Sequence, residues 1–314
     1  MKVLIESTTG NALSTFAIGG QYYDAWYNYA YPSWKLYCEK YGLGLFVITE
    51  YMSTLPQEGR KNVIWEKWLV PDAVAKIRSE IKLLLYLDSD FLISPNAPDI
   101  FQLYKNDGSI GVVSQYRDMP YQDHEVRRRI AFHRNRYYSK DYPLDSGLFM
   151  SLEDLAEYHG TSVLTDYTCA GMFIISIAEH ASLFGEWFQK YSVNVKSIDD
   201  DQYYFNYEVQ KYGKLQWFDY KFQALWINEM AWKYPFLYNY GSKNKELIKQ
   251  CIEASLLENY FLHFAGSWHE CQMWKEVNIF SDPETLDYFN EYATYCKTPV
   301  TGKSKGPIKP RTDK

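Results

Sequence analysis

Residues 85–93 read LYLDSDFLI, and no other stretch limits the possible folds as tightly. Leu83–Leu87 is an unbroken apolar run, which predicts a strand buried on both faces, as inside a parallel sheet. The run breaks at Asp88-Ser89-Asp90 and apolar residues resume at Phe91. Two carboxylates straight after a buried strand need an answering charge or donor, because desolvating an ionised carboxylate costs several kcal/mol. Open α/β sheets place ligands beyond the carboxyl ends of their strands, so a divalent cation is one answer. A turn whose aspartates cap the next segment is the other.

The flanking sequence supplies the rest of such a sheet. Residues 3–6 predict a first strand, followed by the polar turn Ser7-Thr8-Thr9-Gly10. Tyr23, Trp26, Tyr27, Ala30, Trp34, Tyr37, Cys38 and Tyr41 recur at helical spacing, with a restart or kink at Pro32-Ser33 and a terminating Gly42. A second strand is predicted at 45–48, and a helix interrupted by Pro71 at 63–77, leading into the central strand. Two β-α-β passages imply an α/β fold: a mostly parallel, doubly wound sheet with helices on both faces. Further strands are expected at 110–114 and 171–175, an antiparallel one at 215–218, and a late one at 260–264. Helices are expected at 99–105, at 178–191 and after Asp199-Asp200-Asp201-Gln202. Residues 116–165, with RRRIAFHRNRYY at 127–138, read as an insertion on the acceptor side of a site. A solvated helix face is the alternative for its arginines, Arg127, Arg128 and Arg129 among them. From Thr298 the chain is Pro/Gly/Lys-rich and reads as a flexible tail. The expected organisation is one domain over 1–280 and a C-terminal extension with a basic tail over 281–314.

Composition narrows the function. A hydrophobic share of 46% and a charged share of 23% provide for a full core, and a net charge of −6 argues against a nucleic-acid partner. Five cysteines without a CxxC fit reduced thiols, and no apolar run of transmembrane length appears. A cytoplasmic protein without a transmembrane segment is expected. The 30 Tyr, 17 Phe and 10 Trp would suit a carbohydrate ligand, whose C–H faces stack on aromatic rings.

Four segments in order, LYLDSDFLI at 85–93, CAGMFIIS at 169–176, DQYYFN at 201–206 and HFAGSWH at 263–269, resemble retaining GT-A glycosyltransferases of the family 8 and family 34 type. The likeness covers roughly residues 1–275 and implies a Rossmann-like nucleotide-diphospho-sugar transferase. It further implies that Asp88, Asp90 and His263 hold Mn²⁺ (or Mg²⁺) against the donor diphosphate, a ligand set that suits such an ion. In the same way, Ala170 and Gly171 would lie under the donor sugar, with Cys169 where the family usually has Asn. Asp145-Ser146-Gly147 is a rival match for that segment. Asp201 and Gln202 would stand near the anomeric carbon, Asp201 on a sugar hydroxyl and Gln202 stabilising the reacting centre. Gly266 and His269 would approach the diphosphate, His269 replacing a usual Lys. Lys67 resembles a basic donor contact, an exposed helix lysine being the alternative, and Thr8 and Ser89 complete the implied donor set. The implied partners are a nucleotide sugar, UDP-linked, and a glycan, protein-linked glycan or other hydroxyl acceptor. Two other readings stand beside this one: an inverting enzyme with Asp199, Asp200 or Asp201 as base, and a non-catalytic carbohydrate-binding protein.

Overall fold

The computed structural model describes residues 1–54, 61–138, 147–191, 195–240 and 244–296. At its centre is a seven-stranded sheet in the order β1 (Lys2–Ile5), β3 (Gly44–Ile48), β2 (Asn11–Phe16), β4 (Leu83–Leu87), β7 (Met172–Ser176), β6 (Ile110–Val113), β8 (Leu215–Phe218). Five strands run the same way; β1, at one edge, and β7, inside the sheet, are reversed. Strand β4 alternates its side chains between two cores. Leu85 and Leu87 join Leu13, Leu45 and Val47, while Leu84 and Tyr86 join Ala12, Phe46 and Ile48. Helix Tyr31–Tyr41 covers the first face with Trp34, Tyr37 and Cys38. Helices Val70–Ile77 and Ile177–Lys190 cover the second with Val70, Val74, Phe184 and Phe188. This is the expected mixed α/β architecture with helices on both faces.

Strand β2 sits between β3 and β4, so consecutive connections leave it to opposite sides. The chain order therefore reverses beside the carboxyl end of β4, where open sheets form a crevice. Several local expectations are refined. The aromatic helix face is divided into Gly20–Ala25, a widened π turn at Trp26–Ala30, and Tyr31–Tyr41. The π turn comes just before Pro32, whose ring and missing N–H disrupt a regular ladder. Gly42 closes the helix in the left-handed conformation, φ 66°. The stretch 215–218, expected to be antiparallel, is β8 and runs parallel to β6, because helix Gln202–Tyr212 carries the chain back before the strand begins.

A second, three-stranded sheet joins β5 (Phe91–Ile93), β10 (Phe261–His263) and β9 (Ala224–Leu225). Strand β10 runs antiparallel to β5, with His263 opposite Phe91. The described part of the insertion contains helices Asp123–Tyr137 and Leu152–His159 and no sheet strand. Asp145-Ser146 and the tail from Thr298 lie outside the described residues. Helix Pro283–Cys296 packs onto the first core through the fully buried Phe289, and Asp282 just before it accepts from Lys249 Nζ at 2.6 Å. Cys38, Cys169, Cys251 and Cys271 are free thiols. Among the described residues no helix is long and apolar enough to cross a membrane.

Candidate active site

Three ladders end at one point. Strand β4 delivers Asp88, whose N–H donates to Gly171 O at 2.8 Å, extending the antiparallel pairing with β7. Asp88-Ser89-Asp90 forms the tight turn between β4 and β5. The pairing of β5 with β10 then sets His263 beside Asp90, and Phe264 N–H donates to Asp90 O at 3.0 Å. Oxygen and nitrogen ligand atoms of Asp88, Asp90 and His263 all lie within 4.8 Å of one another. His263 Nε2 faces Asp90 Oδ1 at 3.2 Å, and its ring stacks on Phe91 with centroids 4.0 Å apart. The histidine side chain is 1% exposed, whereas those of Asp88 and Asp90 are 22% and 25% exposed, so the cluster opens on its carboxylate side.

These residues fit a divalent cation. Asp90 Oδ1 and His263 Nε2 are buried, and neither finds a well-directed hydrogen-bond partner among the described residues. The space between ligands is kept clear by Gly171: a Cβ there would stand 2.3 Å from His263 Cε1 and 2.8 Å from Asp88 Oδ2. Gly171 is thus required for close approach. Gly171→Ala should push the ligand atoms of His263 and Asp88 apart. Mn²⁺ affinity, followed by the EPR signal of the free ion, should fall by at least about tenfold while the circular dichroism stays native. Unchanged affinity would count against this space as the ion's place.

Electrostatics give the cluster a pH dependence. Burial alone would lower the His263 pKa, but the Cys169 sulfur and the Asp90 carboxylate outweigh it and raise it to about 10. Burial likewise pushes Asp90 up, and the His263 imidazolium more than offsets this, holding it below the usual carboxylate value. The imidazolium form is therefore favoured below pH 10, and a cation must displace its Nε2 proton. Mn²⁺ affinity should rise by up to about tenfold per pH unit across the neutral range. Isothermal titrations in buffers of different ionisation enthalpy should show about one proton released per ion. A flat pH profile would remove His263 from the ligand set.

A buried cation stands behind the cluster. Lys67, on the 3₁₀ helix Val63–Leu69, is 1% exposed, so the exposed-helix alternative does not apply. Its Nζ lies 3.4 Å from Asp88 Oδ2, 3.7 Å from Asp201 Oδ1 and 3.5 Å from Ala170 O. Burial would lower its pKa, yet Asp201 and Asp88 together hold it above the ordinary lysine value. Asp201 is 1% exposed and accepts from Trp68 Nε1–H at 2.8 Å. Burial raises its pKa to about 6 even though Lys67 and Trp68 oppose the shift. Asp201 therefore meets Lys67 and Trp68 rather than an open sugar site. Tyr86, which the sequence reading did not single out, donates its hydroxyl to Asp88 Oδ1 at 2.5 Å.

Gln202 clamps the segment that leads into β7, beneath the cluster. Its Oε1 accepts from Ala170 N–H at 2.8 Å and its Nε2 donates to Thr168 O at 2.5 Å. Asn206, one helical turn on, accepts from Thr168 N–H and donates back to Thr168 O. Gln223 Nε2 donates to Cys169 O at 3.0 Å. Asn206 and Gln223 were missed from sequence; the i,i+4 spacing of Gln202 and Asn206 was the one available signal for the former.

Other expected site residues fall elsewhere. Thr8 is not near the cluster: it precedes β2, at the opposite end of the sheet, and its Oγ1 donates to Gly42 O at 3.1 Å. The strand that reaches the crevice is β2, whose register on β4, with Ser14 opposite Tyr86, puts its carboxyl end on the Asp88 side of the sheet. Ser89 is partly buried in the turn between the two aspartates. Gly266 has φ 106°, a conformation other residues resist, and lies in the loop after β10. His269 is exposed at the start of turn Glu270–Lys275, edge-on to Tyr138 at 5.5 Å. Asp199 Oδ1 accepts from Gly147 N–H, and Asp200 accepts from Asn62 Nδ2. Of the arginines, Arg127 staples the insertion by donating to Asp123, Tyr116 and Met150 O, while Arg129 stacks over Trp232 at 4.1 Å. Arg128 is exposed.

No family model and no curated protein matches the sequence. The solved structures with a similar backbone include glycosyltransferases. One is a glycosyltransferase involved in glycosylation of the PBCV-1 major capsid, with TM-score 0.49 and 9% identity over 85% of this chain and 99% of that one. Another is the galactosyltransferase LgtC in complex with donor and acceptor sugar analogs, at 0.44 and 12% over 92% and 97%. The bifunctional glycosyltransferase WbbM follows at 0.48 and 10%, matching 92% of this chain but 52% of its own. At these scores the likeness is partial, and no activity transfers from those proteins to this chain.

Proposed function

We propose that this chain is a metal-dependent glycosyltransferase of the GT-A type, moving a sugar from a UDP-linked donor to an acceptor hydroxyl with retention. The observation that carries the reading is the meeting of Asp88, Asp90 and His263 around the space that Gly171 keeps clear, at the carboxyl end of β4. Bound there, Mn²⁺ or Mg²⁺ would stabilise negative charge on a departing diphosphate. Asp88 and Asp90 offer it hard oxygens on the open side, and His263 one nitrogen from the buried side. Lys67 holds Asp88 in place from behind, which makes it a positioning residue rather than a donor contact. Asp201 anchors Lys67, and Gln202 fixes the backbone of 168–170 that would underlie the donor.

Of the three candidate bases for inversion, Asp201 is buried against Lys67 and Trp68, whereas Asp199 and Asp200 hold only Gly147 N–H and Asn62, so the anomeric form of the product decides between retention and inversion. An inverting enzyme needs a carboxylate free to take the acceptor's proton. The test is incubation with a panel of nucleotide sugars and Mn²⁺, reading release of nucleoside diphosphate and the anomeric form of the product. Diphosphate release with the donor's anomeric configuration kept is the expected result. Sugar binding independent of nucleotide and metal, without turnover, would instead make the chain a carbohydrate-binding protein.

A further inference from the structure

The face of His263 turned away from the two aspartates is packed against protein. Its Nδ1 lies 3.7 Å from Cys169 Sγ and 3.5 Å from Gln223 Nε2. Gln223 is fully buried, and its Nε2 donates to Cys169 O. Its amide nitrogen therefore faces the ring, and an amide N–H cannot accept a proton from an imidazole N–H. Turning the amide over would set its oxygen against Cys169 O in place of that hydrogen bond. The sulfur is the remaining acceptor on this side among the described residues. Stacking on Phe91, with the planes 14° apart, holds the ring in place, so only the position of its proton is left open.

We propose that Cys169 is a positioning residue: its sulfur accepts a hydrogen bond from His263 Nδ1–H and so leaves the Nε2 lone pair to the ion. This rests on the reading of Asp88, Asp90 and His263 as a metal site. Metal-ligating histidines commonly give their other N–H to a carboxylate or carbonyl, which fixes ring and tautomer. Here a thiol does that work, from the residue before Ala170 and Gly171 in the segment that leads into β7. It ties His263, on β10, to the segment that Gln202 and Asn206 clamp.

The test uses the full chain. Mn²⁺ binding is read by EPR of the free ion, and ¹⁵N long-range NMR with Mg²⁺ reads the His263 ring, its signals assigned by their loss in His263→Ala. Wild type should show Nδ1 protonated when loaded. Cys169→Ala should weaken Mn²⁺ binding by about ten- to hundredfold, the usual cost of losing such a partner. Cys169→Ser, whose hydroxyl can accept, should recover most of that loss, whereas a packing role alone would not separate Ser from Ala. If Cys169→Ala fails to fold, Cys169→Ser alone decides: near wild-type affinity with protonated Nδ1 supports the proposal. Unchanged affinity in Cys169→Ala, equal losses in Ala and Ser, or a protonated Nε2 in the loaded wild type overturns it. A wild type that takes up no Mn²⁺, with Asp90→Asn also changing nothing, overturns the metal site itself and this inference with it.

Discussion

Asp88→Asn, Asp90→Asn and His263→Ala are each expected to lower sugar transfer by on the order of a thousandfold or more. The asparagines keep the side-chain volume but remove a negative ligand, and the alanine opens the buried side of the cluster. The three losses should be similar, and combining them should cost little more, because residues that hold one ion act as a unit. Chelation by EDTA should reproduce the defect in the wild type, and added Mn²⁺ should restore activity there but not in the variants. The geometry makes His263 the most telling of the three. It is reached only through the pairing of β10 with β5. A His263→Ala protein that turns over normally with added metal, or a wild type fully active in EDTA, would remove the proposed site.

Lys67→Met is expected to destabilise the fold by about 3–5 kcal/mol near neutral pH, the usual cost of stripping one partner from a buried ion pair. The substitution preserves much of the stem volume but leaves Asp201, 1% exposed, with Trp68 as its side-chain partner among the described residues. The pH dependence follows from Asp201, whose pKa is already about 6 in the folded protein and would rise further without Lys67. A carboxyl raised above its unfolded value, about 3.9, favours the folded state when protonated. The variant should therefore regain stability as pH falls through the raised folded pKa toward the unfolded one, and lose it as pH rises again. Asp201→Asn in the same chain should remove most of both the deficit and its pH dependence. Urea unfolding from pH 5 to 8 measures all of this. A deficit that ignores pH and persists in the double variant would mean that packing around the lysine stem, not its charge, was lost.

The contrast between Asp88 and Lys67 shows what local sequence can reveal. An apolar run that ends in two carboxylates announces itself, because nothing else explains charge at the end of a buried strand. Lys67 gives no such sign. Within VIWEKWL it looks like any helix lysine, and its burial is created by acids at 88 and 201 that fold around it. Strand β2 was hidden for a related reason. Ser14 and Thr15 are fully buried in it, so polar letters interrupt what is in fact a strand inside the sheet. With β2 unseen, the turn holding Thr8 was placed at the wrong end of the sheet.

What the sequence determined by itself was the class of fold and, through the resemblance, the three residues expected to hold an ion, Asp88, Asp90 and His263. The apolar runs at 83–87, 45–48 and 171–175 specify buried strands, and Asp88 and Asp90 are held by the turn that joins β4 to β5. Strand direction, the closeness of His263 to the two aspartates and the charge behind the site were decided by the tertiary structure. Apolar runs look alike in either direction, so the reversal of β7 and the parallel pairing of β8 could not be read from composition. His263 becomes a neighbour of Asp90 only because the register of β10 on β5 sets it opposite Phe91, and a one-residue slip would turn it to the other face.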